Sequence, residues 1–199
     1  MQSFIEVYKV RMISHKHKFI FIHIPKTGGS SVDCFFTNTY REGGLRTKHR
    51  TAQTYKLQFP NQFSEYFKFT IVRNPWDKCF SHYNYKARDS SQPGFSGHLL
   101  FSDWLKKNFS NPLVFNNHFD FLSNTRGKVS IDYIMRFETL EYDFDIVCNR
   151  IGVPSIGNLP HINKTNHEHY TEYYDDETRE IVARKYAKDI EYFGYKFGR

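Results

Sequence analysis

Cysteine is scarce in this chain, and the three that occur, Cys34, Cys79 and Cys148, are far apart and odd in number. That pattern argues against a disulfide framework and fits buried free thiols in a reducing compartment. Long apolar runs are missing as well. No stretch approaches the roughly 18 apolar residues of a membrane span, and the opening MQSFIEVYKVRMISHKHK has no continuous apolar segment of a secretory leader. A soluble, cytoplasmic protein is the expectation. Acid is in deficit, with 21 Asp and Glu against 28 Lys and Arg and a formal charge of +7. Such a surface attracts anions, whether a nucleotide, an acidic glycan or a nucleic acid. No internal repeat and no domain linker is visible, so the 199 residues read as a single domain with residues 1–18 as a basic lead-in.

Aromatic residues, by contrast, are plentiful, with 20 Phe and 14 Tyr. They argue for a packed core and against disorder. The stretch Phe19 to Phe36, FIFIHIPKTGGSSVDCFF, joins an apolar strand buried on both faces to a glycine turn and a helix expected over Ser31 to Tyr40. This turn is built for an anion. Gly28 and Gly29 let a ligand approach the backbone, helix-start N–H groups point at it, Lys26 adds a charge, and Thr27, Ser30 and Ser31 add hydroxyls.

A second strand-to-helix junction lies in Phe67 to Tyr85, FKFTIVRNPWDKCFSHYNY. Asn74 is placed to cap, Pro75 occupies the first helical position, and Asp77 falls three residues after the cap. Arg73 ends the strand and Ser81 lies about two turns into the helix. A guanidinium fork and a hydroxyl so placed suit one phosphate.

The rest of the chain supplies further elements. An edge strand is expected across Phe4 to Val10, a short helix over Thr51 to Leu57 ended by Pro60, and a helix from Ser102 through DWLKKNF. Residues 111–128 read as irregular, Ile131 to Phe137 as a buried strand, and Glu138 to Ile151 as a helix. The last helix runs from Asp175 to Phe193, with Val182, Tyr186, Ile190 and Phe193 facing the core and Gly194 ending it. Strands alternating with helices give an α/β fold: a central, mostly parallel sheet flanked by helices.

Taken together, HIPKTGGSS and IVRNPWDKCFSHY resemble the two donor-binding motifs of the sulfotransferases, in particular the bacterial and carbohydrate-acting group. KHRTA, YIMRFETLEYDF, LPHINKT and YYDDETREIVARKYAKDIEYFGYKF follow in the order such proteins show, so the likeness covers Phe19 to Phe197. It implies a P-loop NTPase-like sulfotransferase fold, the donor 3′-phosphoadenosine 5′-phosphosulfate (PAPS), adenosine 3′,5′-bisphosphate as product, and transfer to an acceptor hydroxyl or amine, with a carbohydrate hydroxyl as the expectation. Lys26, Thr27, Gly28, Gly29, Ser30 and Ser31 would bind the 5′-phosphosulfate, and Arg73 and Ser81 the 3′-phosphate. Lys26 would also stabilise the leaving phosphate, and His49, in KHRTA, would be the general base. Lys78 stands where arginine is common in this group.

Other residues have competing readings. Trp76 reads as core, His23 as a strand residue near the site, and His82 as a helix-surface residue. Arg136 and Glu138 in MRFE resemble a family feature and equally suit a strand-end ion pair, and Asn163, Lys164 and Thr165 suit either a turn or the ligand. His161, His167 and His169 have no supporting carboxylate or cysteine pattern, so no metal site is expected. Two rival functions stand beside the transferase. A P-loop-like kinase is disfavoured because its GxxxxGK[ST] motif places lysine after the glycines, whereas Lys26 precedes them. A non-catalytic basic module binding acidic glycans or nucleic acid is the other, and retained polyanion binding in a Lys26→Ala, Arg73→Ala variant, with no affinity of the parent for adenosine 3′,5′-bisphosphate, would support it.

Overall fold

A computed structural model describes residues 13–37, 49–88, 99–109, 116–155, 159–160 and 167–199. Its centre is a four-stranded sheet in the order β1 (Ile13–Ser14), β2 (Phe19–Ile22), β3 (Phe67–Val72) and β4 (Tyr133–Arg136). β1 runs antiparallel to β2, while β2, β3 and β4 are mutually parallel, with Ile22 opposite Thr70 and Val72 opposite Arg136. Every residue of β2 and all but the first of β3 are buried. Buried parallel strands of Phe, Ile and Val without polar alternation are what a sheet covered on both faces requires. This is the α/β, mostly parallel architecture expected.

Between β2 and β3 lie α1 (Gly29–Thr37), α2 (Ala52–Gln58) and α3 (Pro60–Glu65). Thr51 caps α2 through its hydroxyl, which accepts from the Thr54 N–H at 3.2 Å. Pro60 ends α2 as expected but also opens α3, because its missing N–H costs nothing at a first helical position. Between β3 and β4 lie α4 (Pro75–Arg88), α5 (Phe101–Asn108) and α6 (His118–Leu122). After β4, a 3-10 turn at Phe137–Thr139 leads into α7 (Leu140–Ile151), and α8 (Asp176–Lys185) and α9 (Ala187–Phe193) follow. Phe144, Val147 and Cys148 of α7 are buried, with Leu140 and Ile151 packed beside them, at the three- and four-residue spacing of one helical face.

Two expectations need correction. The stretch taken as irregular contains α6, whose first N–H groups, those of His118 and Phe119, are accepted by Asp189 at 2.8 Å each. A five-residue helix has no local signal strong enough to announce it, and this one is capped from 70 residues away. The last helix is not continuous: it breaks at Tyr186 (φ −104°, ψ 24°) into α8 and α9. The edge strand over residues 4–10, the loop holding Asn163, Lys164 and Thr165, and His161 lie outside the described residues.

Two apolar clusters fill the interior. One packs β2, β3 and β4 against α1, α2, α6, α7 and α9. The other, built from Trp76, Cys79, Phe80, Trp104, Tyr170 and Tyr186 among others, joins α4, α5 and α8. Cys34, Cys79 and Cys148 are free thiols. Among the described residues no helix is long and apolar enough to cross a membrane.

Candidate functional site

The C-terminal end of β2 turns through residues 23–28 into α1. Two contacts shape this turn: the Thr27 hydroxyl donates to the Ile24 carbonyl at 2.9 Å, and the Ser31 N–H to the Gly28 carbonyl at 3.0 Å. Thr27 is fully buried and spends its hydroxyl on the turn, whereas Ser30 is exposed. Gly28 has φ +84°, a conformation that penalises any β-carbon, and a β-carbon there would also lie 3.0 Å from Phe137. Gly29 is needed for a different reason. Its backbone is ordinary, but a β-carbon would sit 2.3 Å from Cδ2 of His23, whose ring lies against the start of α1.

Lys26 is itself left-handed, at φ +65°, which costs a non-glycine residue on the order of 1 kcal/mol. The carbonyl this conformation presents is taken by Arg73 Nη1 at 3.2 Å. The Lys26 ammonium lies 4.4 Å from the centre of the Tyr85 ring on α4.

At the second junction, Asn74 caps α4 as the sequence indicates, its side-chain oxygen accepting the Trp76 N–H at 3.1 Å. The third position after the cap behaves differently from a capping box. Glu138, from the turn after β4, accepts the Asn74 N–H at 2.6 Å and so takes the reciprocal role. Asp77 instead accepts two bonds from Arg73, from Nε at 2.7 Å and Nη2 at 2.9 Å. The guanidinium also lies 3.8 Å from the Phe137 ring centre. A guanidinium carries five N–H bonds. Three are committed to Asp77 and Lys26, so the fork expected to grip a phosphate is turned on Asp77, and two N–H bonds on Nη1 and Nη2 remain beyond those contacts. Ser81, half-buried, is one turn beyond Asp77 and one turn before Tyr85 on the same face of α4.

His49 comes to the same place from the segment before α2. Its Nδ1 is 3.2 Å from the His23 carbonyl oxygen, and the two rings meet edge to face at 4.8 Å and 88°. Burial drives His23 down to about 3, with the charge of His49 adding to the effect. Burial also lowers His49, against the opposing pull of its bond to the His23 carbonyl. Both imidazoles are neutral near pH 7.

Several residues take places other than those read from the sequence. His82 is half-buried, where a place on the helix surface was expected. Its ring lies roughly parallel to that of Trp104 at 5.9 Å, its Nε2 is buried without a hydrogen-bond partner, and burial followed by the charges of Lys26, Lys86 and Lys78 lowers it to about 3. Packing of α5 onto α4 buries that face, a tertiary event with no mark at position 82. Lys78 points inward, 4% exposed, and donates to the Asn116 carbonyl at 2.6 Å; burial lowers it to about 8. Arg136 and Glu138 are not paired with each other: Arg136 Nη2 donates to the Phe193 carbonyl, and Glu138 serves Asn74. Trp76 is core, its indole N–H donating to the Arg179 carbonyl at 2.9 Å. Among the described residues no group of three or more His, Cys, Asp or Glu could hold a metal ion.

An uncharacterized protein of Archaeoglobus fulgidus is 36% identical over 93 residues, which is 46% of this chain and 72% of that relative. No solved structure matches the chain. Residues 11–196 match the family described as the Sulfotransferase family, a span that begins before β1 and ends after α9. With every described strand and helix inside that match, the chain belongs to the sulfotransferase family.

Proposed function

We propose that the protein, a single domain, transfers the sulfuryl group of PAPS to an acceptor hydroxyl, on a carbohydrate. The bond between Arg73 Nη1 and the Lys26 carbonyl carries this reading, because it joins two cationic strand-to-helix junctions into one surface at the ends of adjacent parallel strands. The donor has two separated anionic groups, and the residues present fit it. Gly28 permits the left-handed turn, Gly29 admits the His23 ring against the start of α1, and two guanidinium N–H bonds lie beyond those given to Asp77 and Lys26.

Lys26, Thr27, Gly28, Gly29, Ser30 and Ser31 would hold the 5′-phosphosulfate. Thr27 does so by fixing the turn, and Ser30 with a hydroxyl at the surface. Arg73 and Ser81 would hold the 3′-phosphate. When bound, the donor supplies the sulfuryl group, whose bond to the 5′-phosphate oxygen breaks as the acceptor oxygen bonds to sulfur. Lys26, a compact charge on a flexible stem, stands against the negative charge that grows on the leaving side. His49 takes the acceptor's proton. A carbonyl only accepts, so the proton of the His49 ring sits on Nδ1 and faces His23, leaving Nε2 with the lone pair.

Isotopically labelled PAPS incubated with a panel of glycans, lipids and peptides tests this. Label on a glycan hydroxyl is expected. Lys26→Ala and His49→Ala should each lose most of the transfer, with His49→Ala still binding adenosine 3′,5′-bisphosphate. Absence of transfer to every acceptor, together with magnesium-dependent ATP turnover, would replace this reading with a kinase.

A further inference from the structure

We infer that His23 is a positioning residue for this reaction, fixing the tautomer and orientation of His49 through its carbonyl and the edge-to-face contact of the two rings. The inference rests on His49 as the base. His23 follows β2 directly and touches three parts of the site at once. Its ring stacks on Phe21 at 5.6 Å and 13°, and Phe21 stacks in turn on Phe69 at 5.0 Å and 19°, so the ring continues an aromatic stack from the centre of the sheet. Its Cδ2 and Nε2 edge lies against Gly29, where a β-carbon would be 2.3 and 2.4 Å away. Its carbonyl and ring together hold His49.

The ring is held by shape. His23 Nδ1 is buried and makes no hydrogen bond, so stacking and the abutment on Gly29 keep it in place. What it passes to His49 is position. A ring packed against the sheet core on one side and the anion turn on the other sets where the Nε2 lone pair of His49 stands relative to the glycine turn. Its neutrality matters too, because a charged ring at 4.8 Å would oppose proton uptake by His49. Burial, which lowers His23 to about 3, keeps it uncharged near pH 7.

The test compares His23→Ala, which removes the ring, with His23→Phe, which keeps a flat ring and its stacking, on protein carrying nitrogen-labelled histidine. In the parent protein, NMR should show His49 protonated on Nδ1 and titrating below the ordinary histidine value of about 6.5. In His23→Ala the backbone carbonyl remains, so the Nδ1 tautomer should persist, while the His49 titration should move back toward about 6.5 and kcat should fall at least about tenfold because the ring no longer holds the imidazole in place. His23→Phe should keep the parental titration and lie within about threefold of the parental kcat. An unchanged titration and kcat in His23→Ala would overturn the inference. Equal impairment of both variants would also overturn it, by giving the imidazole nitrogens a chemical part. If His23→Ala does not fold, His23→Leu, which fills the space without a flat ring, takes its place. His49→Ala separates the two levels: parental turnover in that variant removes His49 as base and this inference with it. An inactive His49→Ala beside a parental His23→Ala removes the inference alone.

Discussion

Arg73 donates from Nη1 to the carbonyl of Lys26 across 3.2 Å, and the same guanidinium is clamped by Asp77 through two further bonds. The bond links the end of β3 to the turn after β2, and it turns a left-handed lysine into a held one. Charge alone does not reproduce this, because an ammonium has no planar fork. Arg73→Lys should weaken binding of adenosine 3′,5′-bisphosphate by at least about tenfold, in the range of a lost charge-assisted hydrogen bond. Isothermal titration of the variant checks it, and an affinity equal to the parent's would contradict the linkage.

Gly29 and His23 should be energetically coupled. A methyl group at 29 runs into the His23 ring, so Gly29→Ala is expected to destabilise by about 1–3 kcal/mol, as overpacking does. His23→Ala opens that space. In a double-mutant cycle by denaturant unfolding, the pair should therefore show a coupling of about 1 kcal/mol or more, with the double variant more stable than the sum of the singles. Additivity would mean that the backbone yields in place of the ring.

Stability should fall with acid below neutrality. His23, His82 and His118 are all lowered in the folded protein, to about 3, about 3 and about 4, first by burial. Each binds its proton more readily when unfolded, near 6.5, so the unfolded state gains protons first as pH drops from about 6.5. Asp189 acts in the same direction. Burial pushes its carboxyl up, but His118, Lys78 and the Phe119 N–H outweigh that and hold it low, so its contribution is lost as pH falls through its folded value. His82→Phe keeps the contact with Trp104 and removes a buried nitrogen without a partner. Its melting temperature should exceed the parent's by more at pH 5 than at pH 7.5, and an equal difference at both would contradict the assignment.

Glu138 should matter to α4 although it lies 64 residues from Asn74. Glu138→Ala leaves the Asn74 N–H without its acceptor and should cost about 1–2 kcal/mol of stability, the range of a lost cap. Asp77→Ala, in contrast, should act on ligand affinity through Arg73. If instead the bisphosphate affinity of Glu138→Ala fell and that of Asp77→Ala did not, the exchange of roles between the two carboxylates would be wrong.

That exchange also marks where the sequence stops being readable. Phe67 to Val72, Asn74 and Pro75 announced the second junction because strand composition, a cap residue and an N1 proline act locally. Asp77 looked like half of a capping box for the same local reason, and nothing near it could reveal that Glu138 fills the role. The inward turn of Lys78 and the burial of His82 depend on residues about 20 to 40 positions away. α6 depends on Asp189 of α9. The strand, glycine turn and helix were legible as a junction, but the left-handed Lys26 and the steric need for Gly29 arise only once Arg73 and His23 are in place.

The central claim is that the two junctions bind one nucleotide carrying anions at both its 5′ and 3′ positions. Calorimetric titration with adenosine 3′,5′-bisphosphate and with adenosine 5′-monophosphate, in the parent and in Arg73→Ala, tests it most directly. The account predicts at least about tenfold tighter binding of the bisphosphate by the parent, and loss of that preference in Arg73→Ala. Equal affinity of the parent for the two nucleotides would contradict it.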